Sequence, residues 1–392
     1  MEGHLLRGLQ KLGVPCFFPA GNPLAATDRM EAAALCHAAL MKEYVQIAYL
    51  CPLDCAGDIP RIKTDNATFR VFSEAELNAL LNSPEHQRQS GFRAAETNRL
   101  SQFLWLVVEE SVALPKEFDD RYWHLPLWHT RKDQPGTVYP YNNHYPAAVE
   151  SAIFRLMLAP WEQWLDDLYN SWHPFHIPWV HTITDDIFRH QDTIPSATTL
   201  TWDCRSWPED EAGDWLEHEV PYDNGICVSM GQLAPFVDPQ INSFLGIAIS
   251  RGLINTAAQH QFVKAFLSDD IDEFLAHIVV IDACLGEKSV NKDLEKRLKK
   301  LGSTGRLKYR LVGLLNDASA KESMHILYKV RSDYVHGNAL EKIPAEYLLQ
   351  ARILARQVLN AVIAAAGHSP DISREELLDG TLRRGWEILG AD

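Results

Sequence analysis

Apolar and polar positions follow two rhythms along this chain, and the change falls near residue 240. From Asp270 onward apolar residues recur every three or four positions. Ile271, Phe274, Leu275, Ile278, Ile281, Cys284 and Leu285 mark one buried face of a helix that Gly286 ends. A second, basic segment carries Leu294, Leu298 and Leu301, breaks at Gly302-Ser303-Thr304-Gly305 and resumes through Leu307, Leu311, Leu314 and Leu315. A third helix is expected over 318–336, with Met324, Leu327, Tyr328 and Val335 for the core and Gly337 as its positive-φ stop. Pro344 suits the first turn of a fourth, whose stripe is Tyr347, Ala351, Leu354, Val358 and Val362. Short joints between four helices predict an up-and-down bundle. Leu377, Leu378, Trp386 and Leu389 add a short amphipathic helix docked outside it.

The first 239 residues read as a mixed α+β domain. Asp28 caps a helix through Met30, Ala34 and Met41, and Val45–Leu50 is a strand stopped by Cys51-Pro52. Ser73 and Glu76 fit a capping box for a helix through Leu77 and Leu81. Further strands are expected at 103–108, 177–183, 199–202 and 226–230, and a helix over 146–169 broken at Pro160. The fold class expected is thus α+β over 1–239 followed by all-α over 240–392.

Composition changes this picture little, but charge does. Of 392 residues, 46% are hydrophobic and 23% charged, enough for two ordinary cores. No uninterrupted apolar run approaches the ~18 residues that span a bilayer, no leader is evident, and seven scattered cysteines build no disulfide framework, so a cytoplasmic protein is expected. The net charge of −15 lies wholly in residues 1–260, because residues 261–392 hold 19 basic and 19 acidic side chains. Within that neutral part Lys288, Lys292, Lys296, Arg297, Lys299, Lys300, Arg306, Lys308 and Arg310 form a basic stretch that phosphates could use, although a solvated helix face accounts for it equally.

Arg331 stands in register with Met324, Leu327 and Tyr328, where an apolar residue would serve a core better. A guanidinium cannot shed its charge, so it must pair with a carboxylate or face a cleft that takes an anion. Asp282, between Ile281 and Leu285, is the expected partner. His336, five residues on, projects about 140° from Arg331 in an ideal helix and acts from the helix end, where an imidazole can take and give protons.

The run Tyr328-Lys329-Val330-Arg331-Ser332-Asp333-Tyr334-Val335-His336-Gly337-Asn338 resembles the Arg, four to six residues, His motif of the HEPN superfamily, its Apea-like group above all, with a Tyr before the Arg and a Gly after the His. The resemblance covers the C-terminal third only, about residues 262–366. It implies a metal-independent endoribonuclease without a cofactor, acting on RNA, tRNA among the options, as a homodimer whose paired motifs share a cleft. Carried over, Arg331 holds the scissile phosphate, His336 serves as acid or base, Asp282 orients the Arg and Asn338 adds a hydrogen bond to phosphate. Many active members have Asn, Asp or His directly after the Arg, where this chain has Ser332. The family's place in antiphage defence, abortive infection and toxin systems implies that residues 1–239 sense a ligand or protein trigger. The other reading is a HEPN-fold nucleotide-binding or scaffold protein without catalysis.

The N-terminal part offers His173, His176 and His181, whose spacing fits no zinc pattern, and the close pair Cys51 and Cys55 without a second pair. No metal is expected. Ten of the 11 tryptophans precede residue 260, sufficient for a recognition surface or a large core.

Overall fold

The computed structural model describes residues 2–14, 17, 28–89, 94–114, 137–140, 144–164, 172–189, 192–208, 215–286, 301–337 and 342–390. Two compact units emerge, one of Met1–Ala152 with Pro174–Cys227 and one of Ile153–His173 with Val228–Asp392. The boundary expected at 239/240 therefore falls at Val228, and the second unit takes in a segment from the middle of the chain.

The first unit is α/β. Helices α1 (Glu2–Lys11) and α2 (Arg29–Leu40) precede β1 (Tyr44–Leu53) and β2 (Ala67–Val71). Then come α3 (Glu74–Leu81), α4 (Pro84–Gln89), α5 (Thr97–Leu100) and β3 (Leu104–Ala113). After α6 (Ala147–Met157), which ends short of Pro160, β4 (His181–Thr184) joins the sheet, and β5 (Trp202–Pro208) with β6 (Trp215–Pro221) forms a separate hairpin. Asp28 caps α2 by accepting from the Met30 and Glu31 amides, and Ser73 with Glu76 closes the expected capping box on α3.

The antiparallel sheet runs β2-β3-β1-β4, with Leu50 opposite both Val107 and His181. Contrary to expectation, β1 continues through Pro52 to Leu53. Even-numbered amides of β1 point toward β4, as the paired bonds between Asp54 and His176 establish, and β4 pairing has ended at Leu50. Pro52 thus lacks its N–H where no ladder bond is required. The strand expected at 226–230 is also absent, since Cys227 makes only an isolated bridge to Asp58 and Ser229 caps a helix. Trp105 and Trp179 meet edge to face at 5.8 Å among Phe72, Leu77, Leu81, Leu100 and Phe103, so these tryptophans build core.

The second unit is all-helical. A 3₁₀ turn at Trp161–Trp164 is followed by α7 (Met230–Val237), α8 (Pro239–Ser250), α9 (Thr256–Phe266) and α10 (Asp270–Leu285). Next are α11 (Ser303–Leu315), α12 (Ala320–Val335), α13 (Ala345–His368) and α14 (Arg374–Ile388). The expected stripes of α10 and α13 are buried, with Phe274, Ile278, Ile281, Ala351, Val358 and Val362 sealed from solvent. Around α10 to α13 the unit is broader than four helices, because α8 packs on α13, α9 on α10 and α14 on α11. The segment 287–300 lies outside the described residues.

Two buried ion pairs cross this unit. Arg352 of α13 donates through Nε and Nη2 to Glu273 Oε1 of α10, at 3.0 and 2.7 Å. One turn on, Arg356 binds Glu162 of the 3₁₀ turn and gives its Nε to the Met157 carbonyl at 3.1 Å. All four side chains are at least nine-tenths buried. The α13 helix is long and apolar enough to cross a membrane by composition, yet half of that window is buried and it carries these arginines, which marks a core helix.

The expected break at 302–305 reduces to Gly302, for α11 starts at Ser303 and runs through Gly305. Nor is α14 merely docked outside. Gly313 of α11 faces the Thr381 carbonyl and Gly385 of α14 faces the Tyr309 carbonyl so closely that a Cβ at either would collide with backbone. Gly380, on the same helix, has open space. Gly385→Ala is therefore expected to cost about 2 kcal/mol or more through overpacking, while Gly380→Ala stabilises by about 0.5–1 kcal/mol through helix propensity. Thermal melts of the two variants should move in opposite directions.

Candidate functional site at the end of helix α12

Helix α12 buries Ala320, Met324, Leu327 and Val330. Arg331 is not on that stripe, as the sequence suggested, but at its edge, with 41% of its side chain exposed. Val335, expected in the core, is likewise exposed. The helix stops as anticipated. The His336 amide bonds the Ser332 carbonyl at 3.0 Å, the Gly337 amide bonds Tyr334 at 3.1 Å, and Gly337 adopts φ +75°.

The expected partner is in place. Asp282 of α10 lies 3.9 Å from Arg331 Nη1, a long ion pair, and its other carboxylate oxygen accepts from the Tyr328 hydroxyl. The Arg331 guanidinium also sits 5.8 Å above the Tyr328 ring. Burial pushes the Asp282 carboxyl above the usual carboxylate range, against the pull of Tyr328 and Arg331. Burial, then the Asp282 carboxylate, raises the Tyr328 phenol well above its ordinary value, so it stays a donor at physiological pH.

His336 is exposed, and its imidazole meets no hydrogen-bond or ionic partner among the described residues; Ser332 is exposed one turn before it. Asn338 lies outside the described residues. The arrangement thus offers a tethered cation and an open imidazole at one helix end. It can hold an anion and exchange a proton near it.

The basic stretch does not form one surface. Lys288, Lys292, Lys296, Arg297, Lys299 and Lys300 lie outside the described residues, and Arg306 and Lys308 are half-buried on α11. Arg310, expected to bind RNA, is 1% exposed and donates to the Leu285 carbonyl at 2.7 Å. It closes the C-terminal end of α10, where a cation meets unpaired carbonyls and the negative end of the helix dipole.

In the first unit, the His181 ring is fully buried 6.1 Å from that of His86, and burial depresses its pKa to about 3. His173 belongs to the second unit, against Trp172 and Phe266. Among the described residues no three His, Cys, Asp or Glu side chains stand close enough to hold a metal. Asp185 and Asp186 are both engaged. Asp185 pairs with Lys42, and Asp186 is buried, with Arg189 Nε at 3.1 Å.

Compared with family models, with curated proteins and with solved structures, the chain matches none.

A raised folded-state pKa means that Asp282 contributes most when protonated and that this contribution is lost as pH rises through the folded value. Asp282→Asn keeps an acceptor for Tyr328 and removes the titration. The variant should therefore gain stability relative to the parent as pH rises from about 4, the ordinary carboxylate value, through the raised folded one. Chemical denaturation across that range measures it, and a falling difference would contradict the assignment.

Proposed function

We propose that the helical unit is a metal-independent endoribonuclease of the HEPN type, with Arg331 and His336 as its catalytic pair. The observation that carries this reading is the way Arg331 is held. It is half-exposed, tethered from one side by Asp282, and placed one turn from the helix end where His336 opens to solvent. A guanidinium so held keeps donors for a phosphodiester and adds little as a surface ion pair.

In the proposed reaction the ribose 2′-oxygen attacks phosphorus while an imidazole takes its proton. The bond from phosphorus to the 5′-oxygen breaks, and that oxygen receives a proton. The products are a 2′,3′-cyclic phosphate and a 5′-hydroxyl. Arg331 stabilises the charge that gathers on the phosphoryl oxygens, His336 carries the proton, and Asp282 with Tyr328 positions Arg331. Ser332, exposed between them, stands where it can meet the same phosphate, and Asn338 is assigned a supporting hydrogen bond. RNA, tRNA included, is the proposed substrate, and the first unit is the proposed receiver of a ligand or protein trigger in an antiphage or toxin setting.

RNA cleavage is expected to persist in EDTA, to leave cyclic phosphate ends and to drop at least about a hundredfold in Arg331→Ala and His336→Ala, the usual scale for removing one acid-base or charge-stabilising group. Both variants should retain the parent's melting temperature within a few degrees, because neither side chain is in the core. Activity that is lost in EDTA and restored by magnesium would overturn the mechanism.

A single imidazole cannot both accept one proton and give another in one step, whereas two copies facing across a two-fold axis can. The proposed active form is therefore a homodimer with both Arg331 and both His336 at one cleft. Mixing Arg331→Ala with His336→Ala subunits should restore part of the activity if the cleft is shared. Full activity from a sedimenting monomer would exclude it.

A further inference from the structure

The exposed cations of the helical unit point to a different path for the substrate from the one the basic stretch suggested. At 100° per residue, Lys321, His325, Lys329, Ser332 and His336 fall within an arc of about 80° on α12 and extend over about 20 Å of its axis. All five are exposed. From α11, Lys308 reaches the same line, its Nζ 3.0 Å from His325 Nδ1. Lys321 lies 5.4 Å from the Tyr309 ring centroid, and that ring stacks on Trp386. Among the described residues none of Lys308, Lys321 or Lys329 has an ion-pair partner, unlike Arg352 and Arg356 within the same unit.

Burial lowers the Lys308 pKa, the Glu322 carboxylate opposes that shift, and the charge of Lys321 adds a smaller lowering. Lysines on one line, none of them in an ion pair among the described residues, favour an incoming polyanion. Glu322 and Asp333, at about 100–120° on the same helical wheel, bound the line on one side with negative charge.

We propose that this line is a docking track for one strand of single-stranded RNA, which runs along α12 from Lys321 past Lys329 to His336 at the helix end. The inference rests on the ribonuclease reading for the chemistry at that end, and on α12 alone for the path. Lys321 and Lys329 stand about 12 Å apart along the axis with His325 between them as an acceptor for Lys308, a spacing that suits alternate phosphates of an extended strand. The track is one side chain wide and bounded on one side by acids, so it fits one backbone rather than the two of a duplex.

The test uses the full chain and a labelled, uncleavable 2′-O-methyl RNA dodecamer, followed by fluorescence anisotropy over a series of salt concentrations. Lys321→Gln with Lys329→Gln should weaken binding on the order of tenfold near 0.1 M salt and reduce the log–log salt slope by about 1.4, the loss of two single-strand phosphate contacts. Lys329→Glu alone, which leaves the Tyr309 contact intact, should weaken binding as well. Unchanged binding in these variants, no binding by the parent chain, or equal competition by a polyglutamate peptide of the same charge would each overturn the track. Cleavage of the unmodified strand is read in parallel. A parent chain that cleaves RNA while both lysine variants bind and cleave equally well defeats the track and leaves the ribonuclease. Binding that depends on the lysines without any cleavage upholds the track and defeats the ribonuclease.

Discussion

Two guanidinium groups in the interior of the helical unit set the conditions for everything near the candidate site. Arg352 and Arg356 cannot lose their protons, and an unpaired charge buried this deeply would cost several kcal/mol. Each must meet its carboxylate, which fixes the rotation and height of α13 against Glu273 of α10 and Glu162 of the 3₁₀ turn. Glu273 and Asp282 are nine residues apart, about 180° around α10. Locking Glu273 toward α13 thereby turns Asp282 to the opposite side, where Tyr328 and Arg331 of α12 are waiting. Burial would raise Glu273, but the bond to His277 and the charge of Arg352 bring it below its usual value, so the lock is ionised at neutral pH.

The helices of this unit were readable from periodicity because each buries one face, and the face alone dictates where Leu, Ile, Val and Phe recur. Capping was readable for the same local reason: Asp28, Ser73 and Gly337 act within four residues of the groups they satisfy. What escaped was non-local. Nothing near Glu162 in the sequence indicates a partner 194 residues away, so the segment 153–173 could not be assigned to the helical unit. Pro52 looked like a strand end because its missing amide matters only if a neighbouring strand needs it, and that depends on where β4 stops. Nor do the glycines that let α11 and α14 touch backbone to backbone differ in sequence from Gly380, which touches nothing.

The candidate site divides in the same way. Pairing of Arg331 with Asp282 followed from the need to compensate a cation near a core, whereas the intervening role of the Tyr328 hydroxyl needed the geometry. The basic stretch misled because linear density of charge ignores direction. On α11, Arg310 and Lys308 are two residues apart and about 200° apart around the axis, so one caps a buried helix end and the other reaches α12. Conversely, Lys321 and Lys329 give no signal in the sequence, because two cations over nine residues are common, although the four-residue spacing stacks them with His325 on one face.

The contrast between the two kinds of arginine bears on what Arg331 is for. Arg352 is paired at 2.7 Å in a site closed to water, with the His277 ring 3.5 Å from the same carboxylate. Arg331 meets Asp282 at 3.9 Å with 41% of its side chain exposed, a geometry worth at most about 1 kcal/mol to folding. Arg331 offsets only part of the cost that burial imposes on the Asp282 carboxylate, so the pair adds little to fold stability. The tether restrains the guanidinium without saturating its five donors, and with 41% of the side chain exposed the remaining ones are open to solvent. A cation held in this way suits the proposed anion chemistry at a helix end, and the buried pair of Arg352 and Glu273 on the far side of α10 holds the helix that carries its partner Asp282.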